Sequence, residues 1–298
     1  MDERRTTREG MLPSEGHNVW YRIVGDDDGA TPLLVLHGSP GAAHDYLDSL
    51  EDIAAMGRRV VFYDQLGCGL SERPDDPSLW TVDLFVREVD TVRRALGLDK
   101  IHLLGQSWGG MLAMAYMLTE PEGVASLVIA SSPSSVPAWT VELARLRDDL
   151  PPTVQATLRR HKQAGTTDNP VYEEATLAFY RRHVCRLDPW PDGLVRSLGP
   201  QLGQQVYHTM NGPSEFHVIG SLRDFDLNDR LHEITAPTLV TGGRFDEVTP
   251  AITAAVHRAI PGSEYVLFEH SSHTAHFEER ALYMTVLDDF LSRVEAGS

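Results

Sequence analysis

Gly105-Gln106-Ser107-Trp108-Gly109 spells G-x-S-x-G. That spacing holds a serine on a sharp turn between a strand and a helix. The glycines two residues either side carry no side chain, so strand and helix can approach closely. Ile101, Leu103 and Leu104 form the apolar run before the turn, and Met111–Leu118 reads as a core helix after it. A Gly-Ser turn alone is commonplace; the flanking strand and helix are what favour a nucleophile at Ser107. The helix N-terminus then points N–H groups at any negative charge forming nearby.

A serine hydroxyl needs a base, and the base needs an orienting acid. In a sheet protein of this kind the chain order is serine, acid, histidine. Asp246 follows a strand-like run in GGRFDEVTP, and His273 follows another in FEHSSHTAHF. Asp246 could instead serve as a helix-capping carboxylate. Glu247 and Glu269 compete with it, and His270 and His276 compete with His273. Their positions suit a strand tip less well. Negative charge on an attacked carbonyl requires backbone donors. The spacing nominates the N–H of Trp108 and that of Ser39, in the loop His37-Gly38-Ser39-Pro40-Gly41. His37 itself reads as a residue that braces this loop.

The elements that must carry these groups alternate. Strand-like runs occupy His17–Val24, Pro32–Leu36, Arg59–Asp64, Val124–Ala130, Pro237–Thr241 and Glu264–Phe268. Helical patterns fall at Asp45–Met56, from Thr81 to about Leu96, at Pro250–Ile260 and at Phe277–Val294. The expected class is α/β: a mostly parallel sheet covered by helices, with an inserted helical cap. The core would comprise 17–131 and 230–298, and the proline-broken stretch 132–229 the cap. Residues 1–16 read as a flexible tail. Each candidate site residue follows a strand's C-terminal end, where ligands bind in such sheets.

The 298 residues suffice for one large domain with an insertion. A net charge of −17 opposes nucleic acid and anionic membrane as partners and attracts a cationic substrate group. Cys68 and Cys185 make no C-x-x-C pair, so no metal is expected. The charged start lacks a signal peptide's apolar stretch, and no run is long enough to span a bilayer. The expectation is a cytoplasmic protein that needs no cofactor, with its oligomeric state open.

These residues resemble the proline iminopeptidases (prolyl aminopeptidases) of the α/β-hydrolases, including the tricorn-interacting aminopeptidase type. The likeness runs from about Val19 to Leu291. It rests on HGSPG at 37–41, YDQLGCGLSERP at 63–74, GQSWGG at 105–110, MNGPSEF at 210–216 and GGRFDEVTP at 242–250. The resemblance implies a catalytic triad of Ser107, Asp246 and His273, and an oxyanion hole from Ser39 and Trp108. It also implies that Glu215 and Glu247 hold the substrate's free α-amino group, which agrees with the need of a buried ammonium for carboxylate partners. The family pattern has glycine where Ser39 stands and arginines where Leu66 and Leu70 stand. These departures bear on which residue is attacked, proline or another apolar one. Tyr207 and Phe225 are nominated to contact its side chain.

The expected activity is a serine aminopeptidase acting through an acyl-enzyme on a small peptide or amino acid amide with a free amine. The alternatives are an L-amino acid amidase or esterase of secondary metabolism, and a non-catalytic ligand-binding protein on a hydrolase scaffold. A serine-directed fluorophosphonate should label the wild type and not Ser107→Ala. An unlabelled wild type would favour the binding protein.

Overall fold

The computed structural model describes residues 6–199, 202–215 and 217–297. One eight-stranded sheet runs in the order β1-β2-β4-β3-β5-β6-β7-β8. Its strands are β1 (Thr7–Ser14), β2 (His17–Val24), β3 (Leu33–Leu36), β4 (Val60–Tyr63), β5 (Ile101–Gln106), β6 (Val124–Ala130), β7 (Thr238–Gly243) and β8 (Glu264–Phe268). β2 is antiparallel to both its neighbours, and every pairing from β4 to β8 is parallel. All positions of β3, β4 and β5 are buried, which is why these strands read as unbroken apolar runs.

Register explains how distant residues meet. Leu36 pairs with Gly105, Gln106 with Ala130, Ala130 with Thr241 and Gly243 with Phe268. The segments that follow Leu36, Gln106, Gly243 and Phe268 therefore leave the same edge of the sheet. Those segments hold Ser39, Ser107, Asp246 and His273.

Helices cover the sheet: α1 (Asp52–Ala55), α2 (Val82–Ala95) and α3 (Trp108–Met117) come early in the chain. The Thr81 side chain caps α2 by accepting the Leu84 N–H at 3.2 Å. Between β6 and β7 come α4 (Val136–Asp148), α5 (Pro152–Ala164), α6 (Pro170–His183), α7 (Asp192–Leu198) and α8 (Gln204–Met210). Pro137, Pro152 and Pro170, which break the sequence pattern, open three of these helices. In a first turn a missing N–H costs nothing. α9 (Pro250–Ala259), α10 (Ala275–Glu278) and α11 (Arg280–Ala296) complete the chain. The helix expected over Asp45–Met56 is largely a 3₁₀ turn, His44–Glu51, ahead of the short α1. None of the described helices is long and apolar enough to cross a membrane.

The N-terminal expectation needs correcting. Residues 7–14 are a strand and not part of a tail, pairing with β2 from Thr7–Val24 to Ser14–His17. Glu15 (φ 51°) and Gly16 (φ 83°) form the two-residue turn, in which both residues take the left-handed conformation a tight hairpin requires. Only Leu12 and Ser14 of β1 are buried, so this edge strand gives no apolar alternation to read. Residues 1–5 of the expected tail lie outside the described residues.

At the N-terminal ends of the central strands, Glu295 of α11 accepts from the Arg58 guanidinium at 2.7 and 2.9 Å and from the Thr31 N–H at 2.8 Å. His102 Nε2 lies 3.4 Å from the same carboxylate, and its Nδ1 is 2.7 Å from Ser126 Oγ. The bonds from Arg58 and Thr31 hold the Glu295 pKa down at about 2, against an ordinary 4.5. A depressed carboxylate stabilises the fold above its unfolded pKa and loses that contribution as pH falls through the folded one. Glu295→Gln should therefore cost about 1–2 kcal/mol at pH 7, a range discounted for the carboxylate's partial exposure. It should also flatten the loss of stability between about pH 4.5 and 2. Denaturant titration across that window checks both outcomes.

Candidate active site

Ser107 sits at φ 56°, ψ −123° between β5 and α3. This left-handed backbone is unusual for a non-glycine residue and is fixed by its surroundings. The Ser107 N–H donates to Ala130 O at 2.9 Å, and the Ser107 carbonyl accepts from Gly110 N–H, Met111 N–H and Ser132 Oγ. A Cβ on Gly109 would strike the Leu36 carbonyl, so glycine there lets α3 lie against β3. Ser107 is the one partly exposed residue between Ile101 and Gly110.

The loop after β3 packs on this turn. A Cβ on Gly38 would lie 2.6 Å from the Gln106 carbonyl and 2.7 Å from Ser107 Cβ. Ser39 is also left-handed, at φ 45°, which suits the glycine of the family pattern better than a side chain. His37 braces the loop: its Nδ1–H donates to Gly38 O at 3.1 Å and its Nε2 accepts the Gln65 N–H at 3.0 Å. Burial lowers its pKa, which keeps the ring neutral and in that one tautomer.

Asp246 Oδ1 lies 2.7 Å from His273 Nδ1 and also accepts the Val248 N–H at 2.8 Å. Asp246 is 1% exposed and His273 7%. His273 Nε2 faces Glu247 Oε1 at 3.7 Å. Burial works to lower the His273 pKa, but the carboxylates of Asp246, Glu247 and Glu215 outweigh it and raise the ring to about 9. Burial raises Glu247, and the Glu215 and Asp246 charges add to this against the pull of His273. Glu215 is raised by burial against the Tyr207 hydrogen bond and the His273 charge. Of the competing histidines, His270 is exposed, and His276 is buried with its Nδ1 on Ser49 Oγ at 2.9 Å. Glu269 pairs with Arg244 at the surface.

One cavity joins these groups. Ser39, Ser107, Trp108, Glu215, Glu247 and His273 all line it, and Trp139, Met111, Val136 and Leu222 supply apolar wall. Asp246 stands behind His273. Tyr207 and Phe225, nominated to contact the substrate side chain, are not among the lining residues. The Tyr207 hydroxyl instead donates to Glu215 Oε1 at 2.9 Å from behind the wall, and Phe225 packs against the core.

Two glutamines that sequence reasoning passed over hold the loops together. Gln65 Nε2 donates to His37 O at 2.9 Å, and its Oε1 accepts the Trp108 indole N–H at 2.8 Å. Gln106 Nε2 donates to His273 O at 3.1 Å, while its Oε1 accepts from the Tyr46 hydroxyl, which in turn accepts the Gly38 N–H. The sequence marks Gln65 only as part of D-Q-x-G and Gln106 only as the unspecified residue of the serine motif. Nothing in the pattern around Tyr46 points to it.

With this geometry in hand, the comparisons with known proteins are specific. A family model described as alpha/beta hydrolase fold matches residues 31–280. A proline iminopeptidase from Heyndrickxia coagulans is 41% identical over 286 residues, covering 96% of this chain and 99% of the relative. The crystal structure of the Mycobacterium smegmatis proline iminopeptidase superposes with a TM-score of 0.91 at 40% identity, covering 97% and 99% of the two chains. The chain belongs to the proline iminopeptidase family of α/β-hydrolases. The crystal structure of VinJ is similar too, with a TM-score of 0.93 at 43% identity, covering 96% and 99% of the two chains. Within this family fold, Gln65→Leu should strand the Trp108 N–H, costing about 1–3 kcal/mol for the unsatisfied donor. An unfolding midpoint equal to wild type would remove that role.

Proposed function

We propose that the chain is a serine aminopeptidase that releases an N-terminal proline, or another apolar residue, from small peptides or amides. The observation that carries this reading is Glu247. It is 4% exposed, its Oε2 has no hydrogen-bond partner among the described residues, and it lines the same cavity as Ser107 and His273. A buried carboxylate oxygen without a partner is costly, and a substrate ammonium would satisfy it. Glu215 supplies the second acid from across the cavity. The names of the relatives support the same substrate class.

In this reading Ser107 Oγ attacks the carbonyl carbon of the N-terminal residue, and its proton passes to His273 Nε2. Asp246 holds the Nδ1–H and offsets the charge of the imidazolium. The oxyanion of the tetrahedral intermediate accepts from the N–H groups of Ser39 and Trp108; the first N–H groups of α3 have no partner within the helix. Collapse breaks the C–N bond, and His273 returns the proton to the leaving amine. Water, deprotonated by His273, then hydrolyses the acyl ester. Residues 132–229 act as the cap that closes the cavity over the 17–131 and 230–298 core. The cytoplasm is the proposed site of action, in keeping with two free, buried cysteines.

Paired prolyl naphthylamides, one with a free and one with an acylated amine, test the amine clamp. The free amine should be cleaved at least about 100-fold faster, and Glu247→Gln should raise KM by about 10–100-fold. Equal rates on the two substrates would refute the clamp. The pH profile provides a further check. The reactive His273 is the neutral ring, so kcat/KM should rise with pH toward about 9. Removing one carboxylate in Glu247→Gln destabilises the imidazolium and should move that rise to lower pH.

A further inference from the structure

The last turn of α6 has the carbonyls that every helix end leaves without a partner of its own. Tyr180 O takes the N–H groups of Val184 and Cys185. The His183 carbonyl instead accepts two N–H groups from the sheet edge: Glu247 at 3.1 Å and His273 at 3.3 Å. One acceptor from the helical insertion thus touches both the loop that carries Asp246 and the loop that carries His273. The neighbouring residues repeat this pattern. His183 Nδ1–H donates to Phe245 O at 2.8 Å. Val184 O accepts from Thr274 Oγ1 at 3.1 Å. The Arg186 guanidinium donates to His270 O at 2.9 Å and lies 3.8 Å from the centre of the Phe245 ring. The two loops also meet directly, through Phe245 N–H on Ser271 O at 3.0 Å.

We propose that His183–Arg186 is a strap that sets the Asp246 loop against the His273 loop, with His183 and Arg186 as positioning residues for the reaction. The proposal rests on reading Asp246 and His273 as the acid and the base. Neither His183 nor Arg186 lines the cavity, so their influence on turnover must pass through the two loops. Hydrogen bonds of about 2.7 Å between buried groups are sensitive to small displacements of either partner. The strap also ties the insertion to the catalytic edge, so this end of α6 cannot lift without disturbing the Asp246–His273 pair.

The test uses His183→Ala, His183→Asn and Arg186→Met in the full chain. The readouts are kcat and KM on prolyl naphthylamide, the thermal melt, and the low-field proton resonance of the His273–Asp246 hydrogen bond. His183→Ala should lower kcat about tenfold, change KM less, and broaden or shift that resonance. His183→Asn places an amide N–H near the lost Nδ1–H and should recover most of kcat. Arg186 is exposed, so Arg186→Met should fold and still lower kcat several-fold; it carries the test if His183→Ala does not fold. Wild-type kcat with an unchanged resonance in both His183→Ala and Arg186→Met would overturn the strap. So would His183→Asn as impaired as His183→Ala. Asp246→Asn distinguishes the strap from the acid–base reading. If it keeps wild-type kcat, the acid–base reading itself fails; if it abolishes kcat while the strap variants do not matter, only the strap fails.

Discussion

A carboxylate at the tip of β7, 1% exposed, is tolerable only if it is fully engaged. Asp246 meets that constraint with His273 on one oxygen and a backbone N–H of its own turn beside it. Much of the surrounding construction serves this contact. The β7–β8 register brings the two loops to one sheet edge. Gln106 holds the His273 carbonyl from the serine side, and the end of α6 holds both loops from the other. The pair is thus over-determined, as pre-organised electrostatic sites require.

The same constraint governs the charge of the cavity. Three carboxylates surround one imidazole, and because their charges outweigh the effect of burial the imidazole holds its proton more tightly. An arriving ammonium would take over part of the role that this proton plays. In the proposed reading, recognition of the amine and release of the base are two sides of one charge balance. The net charge of −17 draws cations toward the molecule in general, and the proposed amine clamp places one at Glu215 and Glu247.

The sequence carried the parallel sheet because its strands are buried on both faces and read as uninterrupted apolar runs. β6 and β8 fall where the pattern puts them, at Val124–Ala130 and Glu264–Phe268. β1 was hidden because an edge strand with mostly exposed side chains has no apolar alternation to display. The serine, acid and histidine stood out because the turn chemistry around them is local and the strand tips are ordered along the chain. The contacts of Gln65, Tyr46, Gln106 and His183 depend on side chains and carbonyls meeting across scores of residues, and periodicity does not encode such meetings. Tyr207 illustrates the reverse case: an aromatic in the right segment that turns its hydroxyl to Glu215 from outside the cavity.

At the far end of the strands, Ser126, His102 and Glu295 stand in a row, with 2.7 Å and 3.4 Å between neighbouring polar atoms. By residue type this row repeats Ser107, His273 and Asp246: an alcohol, an imidazole and an acid. Ser126 and His102 are wholly shut off from solvent, neither lines the cavity at Ser107, and burial drops the histidine to about 4. The molecule therefore contains its own counterexample: an alcohol, an imidazole and an acid can be employed as mortar. What turns such a row into a reagent is vacant volume beside it for a foreign molecule to enter.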